Sequence, residues 1–246
     1  VLAARYGIEI DQVGLDALDA ATDEVTARAI ARELDADRER YTCELPEDVH
    51  RRAVRVGLGL RSLLEGGGYG GFSINFEEFD SRDRAANTMP FLEISKAMAR
   101  GIGYAGEGDV LTAALVGALA RGFGEASFTE IFCPDWAGDS LFLSHMGEIS
   151  PSVAADTPRV FEKPLPFIGG YSPAILTCAV KPGPAVFVNL APGPEKSFSL
   201  IVAPVEVLPE DHTLDPAMRD AVRAWIRPGG GDIARFLESY SRAGGT

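Results

Sequence analysis

The sequence predicts an α/β segment, in which the end of a parallel sheet is flanked by helices, followed by a β-rich domain built on an antiparallel sheet or barrel. Two observations lead to this prediction. Up to about Gly124, strand-like and helix-like segments alternate, as in a parallel sheet covered by helices. From Ala126 onward, short β-rich segments dominate, and prolyl-glycyl turns separate them, as in an antiparallel meander. We therefore expect part of a central α/β domain at residues 1–124 and a β-rich domain at residues 125–246.

Composition and charge limit the functions that this chain can have. Of its 246 residues, 46% are hydrophobic, which is enough for a buried core in one large domain or two smaller ones. The net charge of −13 opposes binding to nucleic acid or to an anionic membrane, whereas a small neutral molecule is compatible with it. No stretch approaches the ~18 apolar residues of a membrane span. The three cysteines follow no disulfide or zinc pattern, so we expect a reduced, cytoplasmic protein.

The first third of the chain is predicted to be mainly helical. Residues 22–34 form one expected helix, with Val25, Ile30 and Leu34 on its buried side. A longer helix follows Pro46, and its apolar stripe recurs every three or four residues at Val49, Ala53, Val56, Leu60 and Leu63. His50 lies beside this stripe and is flanked by Arg51 and Arg52, and we expect it at the surface.

Strands and helices then alternate up to the β-rich part. Residues 72–76 alternate apolar and polar side chains, which predicts a strand, and residues 90–99 are expected to form a helix. After a short strand that includes Tyr104, Asp109 is positioned to cap the next helix. Glu107 then lies in the strand-to-helix loop, at the sheet edge where α/β proteins bind ligands.

A hairpin is predicted after Ala126. Residues 127–132 and 140–146 are strand-like, and turn residues separate them. In the simplest pairing, Glu130 lies opposite Leu143 and diagonal to His145, on the same face, so that a cation could join the carboxylate to the imidazole. Taken alone, a Glu before a helix, such as Glu107, is often only solvated, and a lone strand His is more often a hydrogen-bonded core residue.

The rest of the β-rich part is predicted from residue composition and turns. Residues 174–180, 185–190 and 197–207 are expected strands. Beyond Asp215 we expect the chain to return to helix. The last helix carries an apolar stripe at Ile233, Phe236, Leu237 and Tyr240.

Three short motifs follow one another across residues 104–152. Residues 104–115 are YAGEGDVLTAAL, residues 126–130 are ASFTE, and residues 144–152 are SHMGEISPS. In sequence, order and approximate spacing, they resemble three motifs of the L-arabinose isomerase family. The chain is similar to that family upstream as well, in SINFEE at residues 73–78, and downstream over residues 179–207.

This resemblance implies a set of site residues and an activity. Glu107, Glu130 and His145 match the family's ligands of a divalent cation, usually Mn²⁺, with Mg²⁺ or Co²⁺ as alternatives. The same two glutamates match its catalytic residues, which transfer protons, while Phe76 and Met146 match its sugar pocket. The implied protein is a cytoplasmic aldose-ketose isomerase that acts through an enediol and assembles as a homotrimer or homohexamer.

Departures from the family pattern leave the sugar open. Residues 131–134 are IFCP, where the family has an aromatic, acidic run, and Gly147 stands where the family has leucine. An L-fucose isomerase-like enzyme, a sugar epimerase and a non-catalytic sugar-binding homologue are therefore alternatives. The resemblance also implies that the family's fourth metal ligand follows Thr246, so we expect this chain alone to be inactive.

Overall fold

The structure, a computed structural model, describes residues 2–166, 168–209 and 216–245. It divides into two compact units, each of which combines separate stretches of the chain. The α/β unit consists of Ile10–Phe128 and Gly147–Cys178, and the β unit consists of Val1–Glu9, Thr129–Met146 and Ala179–Thr246. The domain boundary at residues 124 and 125 stays a prediction.

Helices and strands are distributed unevenly between the two units. The helices of the described residues are α1 (Leu2–Tyr6), α2 (Leu15–Asp23), α3 (Ala27–Arg40), α4 (Glu47–Gly66), α5 (Phe91–Ala99), α6 (Val110–Phe123), α7 (Pro216–Arg219) and α8 (Ile233–Arg242). The strands are β1 (Thr42–Glu44), β2 (Gly71–Phe72), β3 (Gly103–Tyr104), β4 (Glu130–Asp135), β5 (Ser140–Ser144), β6 (Arg159–Glu162), β7 (Ala174–Thr177), β8 (Gly183–Pro192), β9 (Phe198–Val207) and β10 (Ala224–Pro228).

The sheets confirm the predicted fold class. In the α/β unit, β1 pairs in parallel with β6, β6 pairs in antiparallel with β7, and β2 pairs in parallel with β3. In the β unit, the strand order is β4-β5-β10-β9-β8, and every neighbouring pair is antiparallel. An α/β unit therefore accompanies a β-rich unit, and the antiparallel sheet is open rather than closed into a barrel in the described residues.

The helix predicted at residues 22–34 is divided in two by the structure. α2 ends at Asp23, and the side chain of Thr26 accepts a hydrogen bond from the amide of Ala29 at 3.2 Å. Such a cap starts a new helix, because it satisfies an amide that has no partner in the first turn. Ile30 and Leu34 of α3 are buried, as predicted.

His50 of α4 is buried, so the prediction of a surface position was wrong. Its side chain is 3% exposed, and its Nε2 lies 2.9 Å from a carboxylate oxygen of Asp37 on α3. The other oxygen of that carboxylate pairs with the ammonium group of Lys96 on α5. A buried polar group requires such partners. The burial of His50 therefore depends on a side chain from another helix.

Further ion pairs extend this buried cluster between α3, α4 and α5. The Arg61 guanidinium donates to Glu33 at 2.6 Å and to Glu93 at 2.7 Å, and Lys96 donates to Glu33 at 2.9 Å. Burial alone would raise the pKa of the Glu33 carboxyl, but the hydrogen bonds and charges of Arg61 and Lys96 lower that pKa to about 2, from 4.5. The cluster thus stabilises the ionised form of Glu33.

Helix α6 packs on the end of β3 with almost no side chain between the two backbones. A Cβ atom at Gly103 would lie 1.9 Å from the carbonyl oxygen of Ala113 and 2.3 Å from the amide nitrogen of Gly117. A Cβ atom at Gly117 would lie 2.5 Å from the carbonyl oxygen of Gly70. Both positions therefore require glycine. This close approach sets the position of the loop that joins β3 to α6.

The strand predicted at residues 72–76 is shorter than expected. β2 ends at Phe72, and the side chain of Asn75 accepts a hydrogen bond from the amide of Glu77 at 3.2 Å. This contact caps a short 3-10 turn, Phe76–Glu78. An asparagine cap favours a helical turn over an extended strand. Phe76 is half-buried in that turn.

The chain beyond Asp215 forms a strand as well as helices, so the prediction of helix alone was wrong. After the short α7, β10 lies between β5 and β9. Its Ile226 pairs with Leu141 on one side and with Val207 on the other. These residues share one buried cluster with Ile233 of α8. The core of the β unit is thus built around β10.

No helix in the described part of the chain is long and apolar enough to cross a membrane.

Candidate functional site

Glu107 lies in the turn between β3 and α6, as the sequence predicts. The Asp109 carboxylate caps α6, since it accepts hydrogen bonds from the amide and the hydroxyl of Thr112 at 2.8 and 2.6 Å. Glu107 itself is exposed, and its φ of +59° is a left-handed conformation that costs a non-glycine residue roughly 1–2 kcal/mol. The turn thus presents a carboxylate on strained backbone at the carboxyl end of a strand.

Ser73 ties this turn to the neighbouring strand. β2 and β3 are parallel, so the residues that follow them lie at one edge of the sheet. The Ser73 hydroxyl donates to the carbonyl of Ala105 at 2.6 Å and accepts from the amide of Gly108 at 2.8 Å. Ser73 lies in the motif at residues 73–78, but its partners lie more than thirty residues away in the chain, so the local sequence gives no indication of this role.

Glu130 and His145 stand at the open end of the predicted hairpin. Glu130 begins β4, and His145 directly follows β5. The predicted register was wrong, because Glu130 pairs with Ser144 and not with Leu143, which pairs with Ile131. The hairpin itself is confirmed.

A bulge in β4 sets the observed register. Ile131 and Cys133 pair with consecutive residues of β5, so Phe132 between them is an extra residue. Beside the turn, Asp135 pairs with Ser140. If this register continued along both strands without the bulge, Glu130 would lie opposite His145. The bulge moves Glu130 by one position along β5.

The side chains of Glu130 and His145 lie close to each other. Nε2 of His145 is 3.9 Å from Oε1 of Glu130. This separation exceeds a hydrogen bond, but two ligand bonds of about 2.0–2.2 Å can join donor atoms up to about 4 Å apart. The carboxylate is 49% exposed, whereas the imidazole is only 6% exposed. One oxygen donor and one nitrogen donor therefore stand at a distance that a divalent cation can bridge, which fits the chemistry that the resemblance implies.

Hydrogen bonds hold the end of β5 on both sides. The Thr129 hydroxyl donates to the carbonyl of Ser144 at 3.1 Å, and the Ser144 hydroxyl donates to the carbonyl of Val222 at 2.5 Å. These bonds restrain the backbone beside His145. Met146, which is partly exposed, follows as the last residue of this stretch of the β unit.

The five predicted site residues are divided between the two units. Glu130, His145 and Met146 belong to the β unit, and Glu107 and Phe76 belong to the α/β unit. Within either unit, no three His, Cys, Asp or Glu side chains of the described residues are grouped to hold a metal ion. The structure brings Glu130 and His145 together, and the roles of all five residues stay predictions.

A cleft of about 310 Å³ lies on another part of the α/β unit. It is lined by Arg38, Tyr41, Cys43, Leu45, Glu47 and His50, and it includes none of the five predicted site residues. Burial, together with the nearby charge of Asp37, raises the pKa of Tyr41 to about 12. The phenol is therefore protonated at neutral pH, and we give this cleft no part in the candidate site.

Two protein-family models match this chain. The L-arabinose isomerase central domain matches residues 2–122, and the L-arabinose isomerase C-terminal domain matches residues 125–244. Both matches together cover nearly the whole sequence.

Individual relatives show the same similarity. The chain is 31% identical to an L-arabinose isomerase of Nocardioides sp. and 31% identical to L-arabinose isomerase 1 of Bacillus licheniformis, and each alignment covers 92% of this chain and 49% of the relative. It is 34% identical to the L-arabinose isomerase of Geobacillus kaustophilus, over 73% of this chain and 38% of the relative. The chain spans about half the length of the curated relatives it matches.

Proposed function

Because the chain belongs to the L-arabinose isomerase family, we propose that the full-length protein is an aldose-ketose isomerase with an L-arabinose-like aldose as substrate. The observation that carries the proposal is the proximity of the side chains of Glu130 and His145. A half-exposed carboxylate and a buried imidazole lie 3.9 Å apart at the end of a hairpin. A cation site and a proton-transferring carboxylate are both compatible with this geometry.

The proposed cofactor is a divalent cation, with Mn²⁺ as the first candidate and Mg²⁺ or Co²⁺ as alternatives. Glu130 and His145 would be ligands from the β unit, and the family resemblance assigns Glu107 as a further ligand. Oxygen-rich ligand sets suit these ions. When bound, such an ion would polarise the carbonyl of the sugar. The imidazole has to be neutral to act as a ligand.

The carboxylates supply the proposed proton transfer. One carboxylate removes the proton from C2 of the aldose, which gives an enediol, and a proton is then returned to C1. At the same time, the oxygen on C1 gains a proton and the oxygen on C2 loses one, so that an aldose becomes a ketose with no net change in atoms. We assign this transfer to Glu107 and Glu130, since both are exposed enough to reach a bound sugar.

Phe76 and Met146 are the proposed sugar-contacting residues. Each is partly exposed, which leaves an apolar surface for the C–H groups of a sugar.

We also propose that the full-length protein is cytoplasmic and forms a homotrimer or homohexamer. The support for assembly is the family resemblance, and sedimentation velocity of the full-length protein tests it.

A sugar panel assayed with and without metal tests the proposed activity. The full-length protein, stripped with a chelator, is incubated with L-arabinose, L-fucose and other aldoses, and ketose formation is measured before and after addition of Mn²⁺. We expect metal-dependent ketose formation, with the highest kcat/KM for L-arabinose or a close relative. Highest activity on L-fucose indicates the L-fucose isomerase-like alternative. Epimer formation without ketose indicates an epimerase, and sugar binding without turnover indicates a non-catalytic homologue.

A further inference from the structure

The side chain of Ser73 holds the strained turn at Glu107 from outside the turn. Within the turn, the amide of Asp109 donates to the carbonyl of Gly106 at 3.0 Å, which closes the chain around Glu107. The Ser73 hydroxyl binds the backbone on either side of Glu107, at the carbonyl of Ala105 before the turn and at the amide of Gly108 within it. The turn is therefore fixed to the end of β2 as well as to β3.

The hydrogen bonds of Ser73 help to hold Glu107 in its left-handed conformation. A non-glycine residue stays at a φ near +59° when the surrounding structure determines its backbone. The two contacts of Ser73, at 2.6 and 2.8 Å, have the lengths of good hydrogen bonds. Loss of the hydroxyl would leave the Ala105 carbonyl and the Gly108 amide to find other partners, and Glu107 lies between them.

We infer that Ser73 is a positioning residue for Glu107, because its hydroxyl fixes the backbone on both sides of that carboxylate. The inference rests on the proposed role of Glu107 in metal binding and proton transfer. Ser73 is not a candidate nucleophile, since its hydroxyl hydrogen is already donated to the carbonyl of Ala105. It acts on the reaction through the loop and not through contact with the sugar.

Ser73→Ala and Ser73→Thr in the full-length protein test this inference. Alanine removes both hydrogen bonds, whereas threonine retains the hydroxyl. Loss of groups that orient a metal ligand typically lowers metal affinity or activity about 10–100-fold. We therefore expect Ser73→Ala to lower kcat and Mn²⁺ affinity by such a factor with little change in KM, and Ser73→Thr to restore most of the loss.

Ser95→Ala is the matched control. The Ser95 hydroxyl also joins two backbone groups of the α/β unit, because it donates to the carbonyl of Phe91 at 3.1 Å and accepts from the amide of Ile149 at 3.2 Å. We expect Ser95→Ala to lower the unfolding midpoint while kcat and Mn²⁺ affinity stay unchanged. Wild-type kcat and Mn²⁺ affinity in a folded Ser73→Ala protein would overturn the inference and leave Ser73 a purely structural role.

Glu107→Gln separates this inference from the proposed function. If Glu107→Gln is as active as wild type, the proposed role of Glu107 fails, and the inference about Ser73 fails with it. If Glu107→Gln loses activity while Ser73→Ala keeps it, only the inference about Ser73 fails. In the double variant, we expect Mn²⁺ affinity no lower than that of Glu107→Gln alone, because two residues that act through one ligand are not additive.

Discussion

Oε1 of Glu130 and Nε2 of His145 lie 3.9 Å apart, although neither residue is directly opposite the other in the hairpin. Glu130 pairs with Ser144, and His145 follows the last paired residue of β5. The two side chains reach each other across this offset. Their proximity is the feature of the described residues that most directly supports a cation site in the β unit.

We expect Glu130→Gln to abolish isomerisation in the full-length protein without unfolding it. The amide retains the volume of the side chain but removes the charge and the base. Loss of a general base normally lowers the rate at least ~100-fold. Steady-state turnover, with circular dichroism as the check on folding, measures the effect. Glu206→Gln, an exposed position on β9 of the same unit, is the control. Turnover of Glu130→Gln within about threefold of wild type would remove Glu130 from the mechanism.

Phe76→Ala is expected to change the preference among sugars while metal affinity stays nearly constant. Phe76 is half-buried in a turn that follows β2, and it carries no metal-binding atom. Relative kcat/KM across the aldose panel is the measurement. Phe72→Ala is the control, since the Phe72 ring packs 5.2 Å from the ring of Tyr104 and should affect stability instead of preference. An unchanged ranking in Phe76→Ala would leave that ring with a packing role alone.

The contribution of Glu33 to stability should disappear at acid pH. The folded-state pKa of about 2 lies below the ordinary 4.5, so the ionised carboxylate favours the folded protein. That contribution is complete above pH 4.5 and is lost as the pH falls towards 2. We expect the difference in free energy of unfolding between wild type and Glu33→Gln to shrink over this interval in urea titrations. Asp35→Asn, an exposed position on α3, controls for the loss of one charge. A difference that is independent of pH would contradict this assignment.

Gly103→Ala should strongly destabilise the protein. A methyl group at this position would lie 1.9 Å from the carbonyl oxygen of Ala113, so α6 would have to move away from β3. Overpacking of this kind costs about 1–3 kcal/mol or more. Urea denaturation measures the loss. Gly122 lies in α6, and a Cβ atom there would meet open space, so Gly122→Ala should stabilise the protein by about 0.5–1 kcal/mol. Equal stability of the two variants would show that the contact between α6 and β3 is loose.

Local signals predicted correctly the elements that carry two of the candidate residues. The cap at Asp109 and the turn at Glu107 follow from adjacent residues, and both are confirmed. The hairpin that carries Glu130 follows from its strand and turn residues. Its register was predicted wrongly because it depends on which residues pair beside the turn, where Asp135 pairs with Ser140, and on the bulge at Phe132, which moves Glu130 from opposite His145 to opposite Ser144. Since a bulge depends on how two strands fit together, a single strand gives little indication of it.

Long-range partners account for the other errors. His50 was expected at the surface, but Asp37 from another helix provides the hydrogen bond that permits its burial. The strand β10 was expected to be helical, and its conformation is set by pairing with β5 and β9. Ser73 received no role, since its partners belong to a different strand and loop. In each case, the deciding interaction joins residues that are distant in sequence.

The close contact between α6 and β3 has a practical consequence for directed evolution of sugar preference. Phe76, which we propose as a sugar-contacting residue, is partly exposed and is therefore a position to randomise. Gly103 and Gly117 lie in the same half of the chain, but any larger residue there displaces the helix that follows Glu107. A library that keeps these two glycines constant will therefore contain more folded variants with an intact loop, and selection can then act on the proposed sugar-contacting position.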